Sequence, residues 1–406
     1  MGHGVNLVPA GKLHLAVTNS EISTFRTCRQ KWFFRHRERL RPKRKPRALA
    51  VGSMVHAGIA AVYGLIAAKQ RGVNTSGIDY SQLAVDTMQK RLAHFRKDIF
   101  DAMDEAKTTD EIDELLAESE TAEREAEGSV LRFVDRFARD DEQRYKVVTV
   151  EMPFTVLLRD AIGRKMNHAL NAGVMDLVLL DEQLNELVLG EHKTSANDAT
   201  KAEAKLDMDP QTSGYVWALR EVLPELRRQL QDDPIGRLLR EDTKVGRVQY
   251  NVVRKKGPGQ PKLNQDGSVS AAAVDTTREV YEAALVAQES RGVPRTEKQR
   301  GRLDSLSTRE RYVTRLEVFH GDDVLERWHK EQKADASLVR LARDGRFPIT
   351  RNPEACNPPW VPPCAYRSIC IDDSPERREL AGYVTMAGVH EEVQEAIAAS
   401  AEESEA

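Results

Sequence analysis

Asp176, Glu191 and Lys193 are the residues of this chain whose types and spacing could do chemistry, and one stretch holds all three: AGVMDLVLLDEQLNELVLGEHK, Ala172 to Lys193. Two apolar runs, Val174 to Leu180 and Leu187 to Leu189, flank the polar hexapeptide Asp181 to Glu186, which predicts two antiparallel strands and a turn. A turn centred between Gln183 and Leu184 sets Asp176 opposite Glu191. Side chains alternate along a strand, so Lys193 shares a face with Glu191 while His192 turns away. A carboxylate pair beside an ammonium group suits a hard divalent cation such as Mg2+, which takes oxygen ligands and keeps several waters. Such an ion polarises a phosphoryl oxygen and favours deprotonation of a bound water. Lys193 would orient that water or offset charge on the pentavalent phosphate. The arrangement predicts phosphodiester hydrolysis.

The spacing Glu-x-Lys carries little weight without this context. It recurs at Glu105/Lys107, Glu203/Lys205 and Glu331/Lys333, in segments that predict helices with no strand-borne Asp opposite. On the two strands alone, an ordinary hairpin with solvated charges is an equal alternative.

The cysteines form a second pattern. Cys28 stands near the N-terminus, and Cys356, Cys364 and Cys370 stand together near the C-terminus, with no further cysteine. Four soft thiolates fit a tetrahedral metal centre, either a four-iron cluster or zinc. Prolines 358, 359, 362 and 363 stiffen the path between the first two of the late group. Four unrelated buried cysteines are the plainer alternative. Joining the two chain ends would restrict the unfolded chain strongly.

Around these groups the chain must build a scaffold. With 406 residues and 40% hydrophobic composition it can bury a sizeable core, and 31% charged residues with a net charge of only -3 describe a mixed surface. Eleven Lys or Arg between Arg26 and Arg47 face one acid, Glu38, a local excess that would attract a polyanion and guide a strand toward the site. Acids crowd Asp101 to Glu127 and Glu391 to Glu405 instead. No run of 18 apolar residues and no cleavable leader pattern is present, so a cytoplasmic location without membrane contact is expected. No Walker A pattern occurs, so any helicase would be a separate chain.

A helix capped at Ser20 or Asn19 is expected before the aromatic run Trp32, Phe33 and Phe34, which reads as core. A second helix, about Ser53 to Lys69, carries His56. Tyr80 to about Phe137 predicts a charged helical insertion, and Lys146 to Leu158 the first core strand, with Glu151 near its start as a weaker candidate to support the site. Met208 to Leu230 predicts a helix broken or kinked at Pro224, Val245 to Arg254 a strand, Lys255 to Ser270 a mobile loop, Arg311 to Phe319 a late strand, and Asp323 to Arg343 a helix. The tail past about Gly388 is expected to be disordered. The expected divisions are 1–75, a 76–140 insertion, a 141–350 core, a 351–375 cysteine segment and a 376–406 tail.

Taken together, TFRTCRQKWFFR with Cys28, GSMVHAG with His56, GVMDLV with Asp176, GEHK with Glu191 and Lys193, QTSGYVWAL with Gln211 and Tyr215, and the late cysteine triad resemble the RecB-type branch of the PD-(D/E)XK nucleases. The likeness extends especially to its iron–sulfur members: AddB-like nucleases, the CRISPR-adaptation nuclease and related phage exonucleases. It implies an α/β, restriction-endonuclease-like mixed central sheet flanked by helices, with a helical insertion and a cysteine clamp joining the N- and C-terminal regions. It implies that His56, Asp176, Glu191 and the backbone carbonyl of His192 bind Mg2+ or Mn2+, and that Lys193 is the catalytic lysine. Gln211 and Tyr215, four apart on one helical face, would match the family's Gln-x-x-x-Tyr element beside the site. Cys28, Cys356, Cys364 and Cys370 would hold a 4Fe-4S cluster, with Zn2+ as the alternative; the seven residues between Cys356 and Cys364 exceed the usual family spacing. The implied activity is metal-dependent DNA exonuclease action on single strands or duplex ends, in recombination, repair or phage DNA processing, beside a separate helicase or recombination protein. A DNA-end-binding module that keeps the fold without cleaving is the alternative.

Overall fold

The computed structural model describes residues 5–6, 16–160, 162–306, 312–357, 363–372, 374–380 and 382–386. The prolines at 358, 359 and 362 and the acidic tail past Gly388 lie outside them. The strands are β1 (Val5–Asn6), β2 (Ala16–Thr18), β3 (Leu40–Pro42), β4 (Lys146–Arg159), β5 (Lys165–Asp181), β6 (Glu186–Ser195), β7 (Lys244–Arg254), β8 (Val313–Phe319) and β9 (Tyr383–Thr385). Seven form one mixed sheet, in the order β1-β4-β5-β6-β7-β8, with β2 added on β5; β3 and β9 pair separately. Neighbours β4/β5, β5/β6 and β7/β8 are antiparallel, whereas β1/β4, β2/β5 and β6/β7 are parallel. The parallel step from β6 to β7 needs a crossover, and the helix Pro210–Gln229 supplies it.

The sheet is apolar on both faces because helices cover both. Val178, Leu180, Leu187 and Leu189 pack with the helices Pro210–Gln229 and Asp322–Arg343, while the alternate residues Leu177, Leu179 and Val188 pack on the other side. That second layer contains the helices Arg47–Gln70, Tyr80–Glu105 and Thr109–Phe133. The expected insertion therefore contributes to the core on this face: its Met88, Leu92, Ala126 and Val130 are wholly buried against Val55, Ile59 and Val62. Arg47–Gln70 is long and apolar enough to cross a membrane, yet half of its apolar window is covered within the protein.

Several sequence expectations change in detail. Thr18, rather than Ser20 or Asn19, caps the first helix, its hydroxyl accepting from the Glu21 N–H. The helix Pro210–Gln229 runs through Pro224 without ending. The expected mobile loop after β7 folds back through a Leu263–Val269 bridge, and Val269 joins Tyr281, Leu285 and Leu303 in a small satellite core. Trp32 and Phe34 are buried as expected of core.

The chain ends are tied together near Cys28. Glu21, fully buried, accepts from the Trp32 indole (2.9 Å) and from Arg343 Nη2 (2.8 Å). The Gln30 N–H donates to the Thr350 carbonyl, Asn352 Nδ2 to the Thr27 carbonyl, and the Tyr366 hydroxyl to the Leu40 carbonyl.

Leu189 sits in the middle of this scaffold, wholly buried on the strand that leads to the site. Leu189→Ala should cost about 2–5 kcal/mol, read as a lower denaturant midpoint at unchanged slope; a loss under about 0.5 kcal/mol would mean that this strand is not packed against the Pro210–Gln229 face.

Candidate functional site

The site forms where β5 and β6 part. Their ladder runs from Asp181↔Glu186 to Leu177↔Gly190 and stops one rung before Asp176 would face Glu191. Beyond that point β5 takes β2 as its neighbour, at Ala16↔Leu170 to Thr18↔Ala172, while β6 continues along β7 to Ser195↔Arg254. The expected cross-strand pair thus becomes a fork. Asp176 Oδ2 accepts instead from the main-chain N–H of His192, at 2.8 Å. Gly190 allows the last rung to close tightly, since a Cβ there would stand 3.1 Å from Leu177 Cβ.

Glu191 and Lys193 lie on the face covered by the Pro210–Gln229 helix, and Lys193 Nζ donates to Glu191 Oε1. Gln211, in the first turn of that helix, bridges the two: its Oε1 accepts from Lys193 Nζ at 3.1 Å and its Nε2 donates to Glu191 Oε1 at 2.9 Å. The same Nε2 lies 3.2 Å from the Tyr215 hydroxyl, one turn further on. Asp209 caps the helix by accepting from the Thr212 N–H, and Pro210 follows it, so the sequence starts the helix where Gln211 can reach the fork. Gly173 of β5 lets Tyr215 approach, since a Cβ there would lie 2.9 Å from the ring.

From the opposite layer, His56 reaches the same fork. Its Nδ1 lies 3.6 Å from Asp176 Oδ1. Glu151 completes the group: ligand atoms of His56, Glu151 and Asp176 all lie within 4.8 Å of one another. Glu151 sits in β4 between Val150↔Leu177 and Met152↔Met175, with a φ of 49°. A left-handed non-glycine residue inside a strand costs about 1–3 kcal/mol, and here it accompanies a carboxylate directed at Asp176 and His56. Among the described residues the tightest ligand triplet therefore contains Glu151 where the sequence suggested Glu191. Glu191 is close by, its side chain 1% exposed, and its Oε2 is buried with no hydrogen-bond partner. An unpartnered buried carboxylate oxygen beside two further carboxylates and an imidazole is a donor set that fits a hard divalent cation.

The electrostatics match the geometry. Burial works against the His56 charge, but the Asp176 carboxylate outweighs it and raises the pKa to about 9. Burial likewise opposes the Asp176 charge, and His56 overrides it to hold the carboxyl well below the usual range. Burial, then the Asp176 charge, pushes Glu191 up to about 7 against the opposing Lys193. Lys193 loses hydration on burial, yet Glu191 and Asp176 raise its pKa well above the ordinary lysine value, so it is a fixed cation. His192, turned to the other face, is driven down to about 3 by burial and is neutral.

Part of the basic run, expected to guide a strand, is engaged within the fold. Of its eleven cations, Lys43 pairs with Glu105, Arg44 with Glu118 (2.7 Å) and Arg47 with Glu125 (3.8 Å), while Arg26 Nε donates to Asp335 (2.8 Å) of another helix. Three cations of the basic block thus meet acids of the Asp101 to Glu127 block. Such exposed pairs add little stability, but they lower the field the run offers a polyanion.

The four cysteines are all free of disulfides, and Cys28 is buried. The Cys364 N–H donates to the Cys356 carbonyl, and Cys364 and Cys370 pack beside Phe34 and Tyr366. Burial raises the Cys370 thiol pKa, Arg351 opposes this, and the charges of Cys356, Cys28 and Cys364 add to it, although no three of the four sulfurs lie within 4.8 Å of one another. Four thiols from both chain ends fit a thiolate-held metal group.

The fork in the mixed sheet thus brings Asp176, Glu191, Lys193 and the helix-borne Gln211 to one place. The family model of the PD-(D/E)XK nuclease superfamily matches residues 16–371, and the chain belongs to that superfamily. The mixed α/β sheet flanked by helices is the restriction-endonuclease-like fold expected of it. It is thus a nuclease by family, with nucleic acid as the substrate class and Mg2+ or Mn2+ as the typical ions. Comparison with the curated proteins gave no match.

The close fit of Tyr215 over Gly173 is itself testable. Gly173→Ala forces the Tyr215 and Phe154 rings to move, and overpacking of this kind costs about 1–3 kcal/mol. The thermal midpoint should fall, and adding Phe154→Leu should restore part of it; an unchanged midpoint in the single variant would contradict the packing.

Proposed function

We propose that the protein is a divalent-metal-dependent DNA exonuclease of the RecB-type branch, with its four cysteines holding a 4Fe-4S cluster. The observation that carries the nuclease reading is the convergence of His56, Asp176 and Glu151 within 4.8 Å beside the unpartnered Glu191 oxygen. His56, Asp176 and Glu191, with the His192 carbonyl, would hold the catalytic ion, and Glu151 lies close enough to take part. When bound, Mg2+ or Mn2+ supplies Lewis-acid polarisation of a phosphoryl oxygen and a more acidic water.

The chain's own residues do the rest. Lys193 stays protonated and is pinned between Glu191 and Gln211, so its ammonium group is preorganised to meet negative charge on the phosphate. Gln211 fixes the rotamers of both neighbours, and Tyr215 backs Gln211 through its hydroxyl. Gln211 and Tyr215 are thus supports for the lysine and glutamate. Asp176, held by the His192 N–H, keeps one carboxylate oxygen turned to His56.

For the cysteine centre, the support is the donor set and the contacts that bring the two chain ends together at Cys28. The iron–sulfur identity and the exonuclease mode come from the resemblance. Such a centre would stabilise the closed chain without touching the reaction.

Two measurements test this reading. Asp176→Asn, Glu191→Gln and Lys193→Ala should each lower Mg2+- or Mn2+-dependent release of nucleotides from end-labelled DNA by about a hundredfold or more, with folding retained. Wild-type protein that binds DNA ends but releases nothing with either ion would favour the end-binding alternative. Anaerobically purified protein should absorb in the visible and carry about four irons per chain; colourless protein carrying one zinc would overturn the cluster.

A further inference from the structure

Asp141, in the short helix Arg139–Arg144, belongs to no part of the site described so far. Its side chain is 2% exposed and accepts three hydrogen bonds. Arg315 Nη1 donates to Oδ1 at 2.6 Å, Arg315 Nη2 donates to Oδ2 at 2.8 Å, and the Tyr63 hydroxyl donates to Oδ2. Two chains of contacts lead from this carboxylate to the fork.

The first runs along the Arg47–Gln70 helix. Tyr63 follows His56 by seven residues, two helical turns, so the two project from the same side of one rigid rod. Anchoring Tyr63 therefore fixes how far His56 extends toward Asp176. The second runs across the sheet. Arg315 Nε donates to Asn251 Oδ1 at 2.7 Å, and Asn251 Nδ2 lies 3.3 Å from His192 Nδ1. His192 in turn holds Asp176 through its main-chain N–H. The His192 ring is also stacked on Tyr63, with centroids 6.1 Å apart, and edged by Phe133 at 5.0 Å.

A buried ion pair seldom stabilises a fold more than apolar packing of the same volume would, and its best-attested use is to fix geometry. Here both arms from Asp141 end on the two groups that face each other at 3.6 Å, His56 and Asp176. We infer that Asp141 is a positioning residue that sets the separation of His56 and Asp176, and hence the affinity of the site for its cation, through Tyr63 on one side and Arg315–Asn251–His192 on the other. The inference rests on the metal-site reading above.

Removing Asp141 itself would strand the Arg315 charge and endanger folding, so the test cuts each arm separately. Mn2+ affinity is measured by EPR titration in the unaltered protein, Tyr63→Phe, Asn251→Ala, and Leu285→Ala in the satellite core. Loss of an outer-shell partner weakens metal binding about 10–100-fold, so Tyr63→Phe and Asn251→Ala should each weaken Mn2+ binding by at least about tenfold with an altered Mn2+ spectrum. Leu285→Ala, which lowers the thermal midpoint without touching either arm, should bind Mn2+ as the unaltered protein does. Unchanged affinity in both arm variants, or an equal loss in Leu285→Ala, would overturn the inference while leaving the site reading intact. Failure of the unaltered protein to bind Mn2+ would instead overturn the site reading and the inference together.

Discussion

The parting of β5 and β6 at Asp176 and Glu191 is the constraint on which the site depends. Two paired strands separate backbone groups that need partners, and each must be satisfied some other way. The His192 N–H does so by donating to Asp176, so the gap opens with an acidic side chain already locked across it. Because the strands no longer touch, groups from both faces of the sheet can enter one space: His56 from the Arg47–Gln70 layer, and Gln211 with Tyr215 from the crossover helix. A continuous ladder would keep those layers apart. Open α/β sheets commonly bind ligands where neighbouring strands diverge in this way.

The rest of the fold makes that opening affordable in stability. Both sheet faces are sealed by apolar side chains right up to Leu177 and Leu189, so the charged groups begin where the packed core ends. The charged helices Tyr80–Glu105 and Thr109–Phe133 do two things at once. Their apolar sides complete the core under His56, and their acids pair with Lys43, Arg44 and Arg47. At the other end, Glu21, Trp32 and Arg343 tie the Cys28 helix to the last long helix, which brings the late cysteines toward their distant partner.

Much of this was legible in the sequence because it depends on period and spacing. The apolar runs around Asp181 to Glu186 gave the hairpin and its register, and alternation put Lys193 beside Glu191 and His192 behind. The helix carrying Gln211 and Tyr215 is expected over Met208 to Leu230 and spans Pro210–Gln229. What stayed hidden depends on contacts between distant segments. Glu151 is marked in the sequence as a weaker candidate to support the site, but not as a partner of His56 and Asp176, and its positive φ has no sequence signature. The charge block Arg26 to Arg47 gives no sign that Lys43, Arg44 and Arg47 pair with Glu105, Glu118 and Glu125 in the fold. Asp141, Asn251 and Arg315 are polar residues of three different elements, and only the folded chain links them. The register was right, yet the ladder stops one rung short of the carboxylate pair, and β2 joins that edge of β5 only at Leu170 to Ala172.

The most direct measurement of the central claim is the position of Mn2+ located by its anomalous scattering in crystals of the protein. The fork account predicts one ordered ion within ligand distance of both His56 and Asp176, with Glu191 Oε2 or Glu151 turned toward it. An ion bound away from these residues, or no ordered ion there at saturating Mn2+, would contradict it.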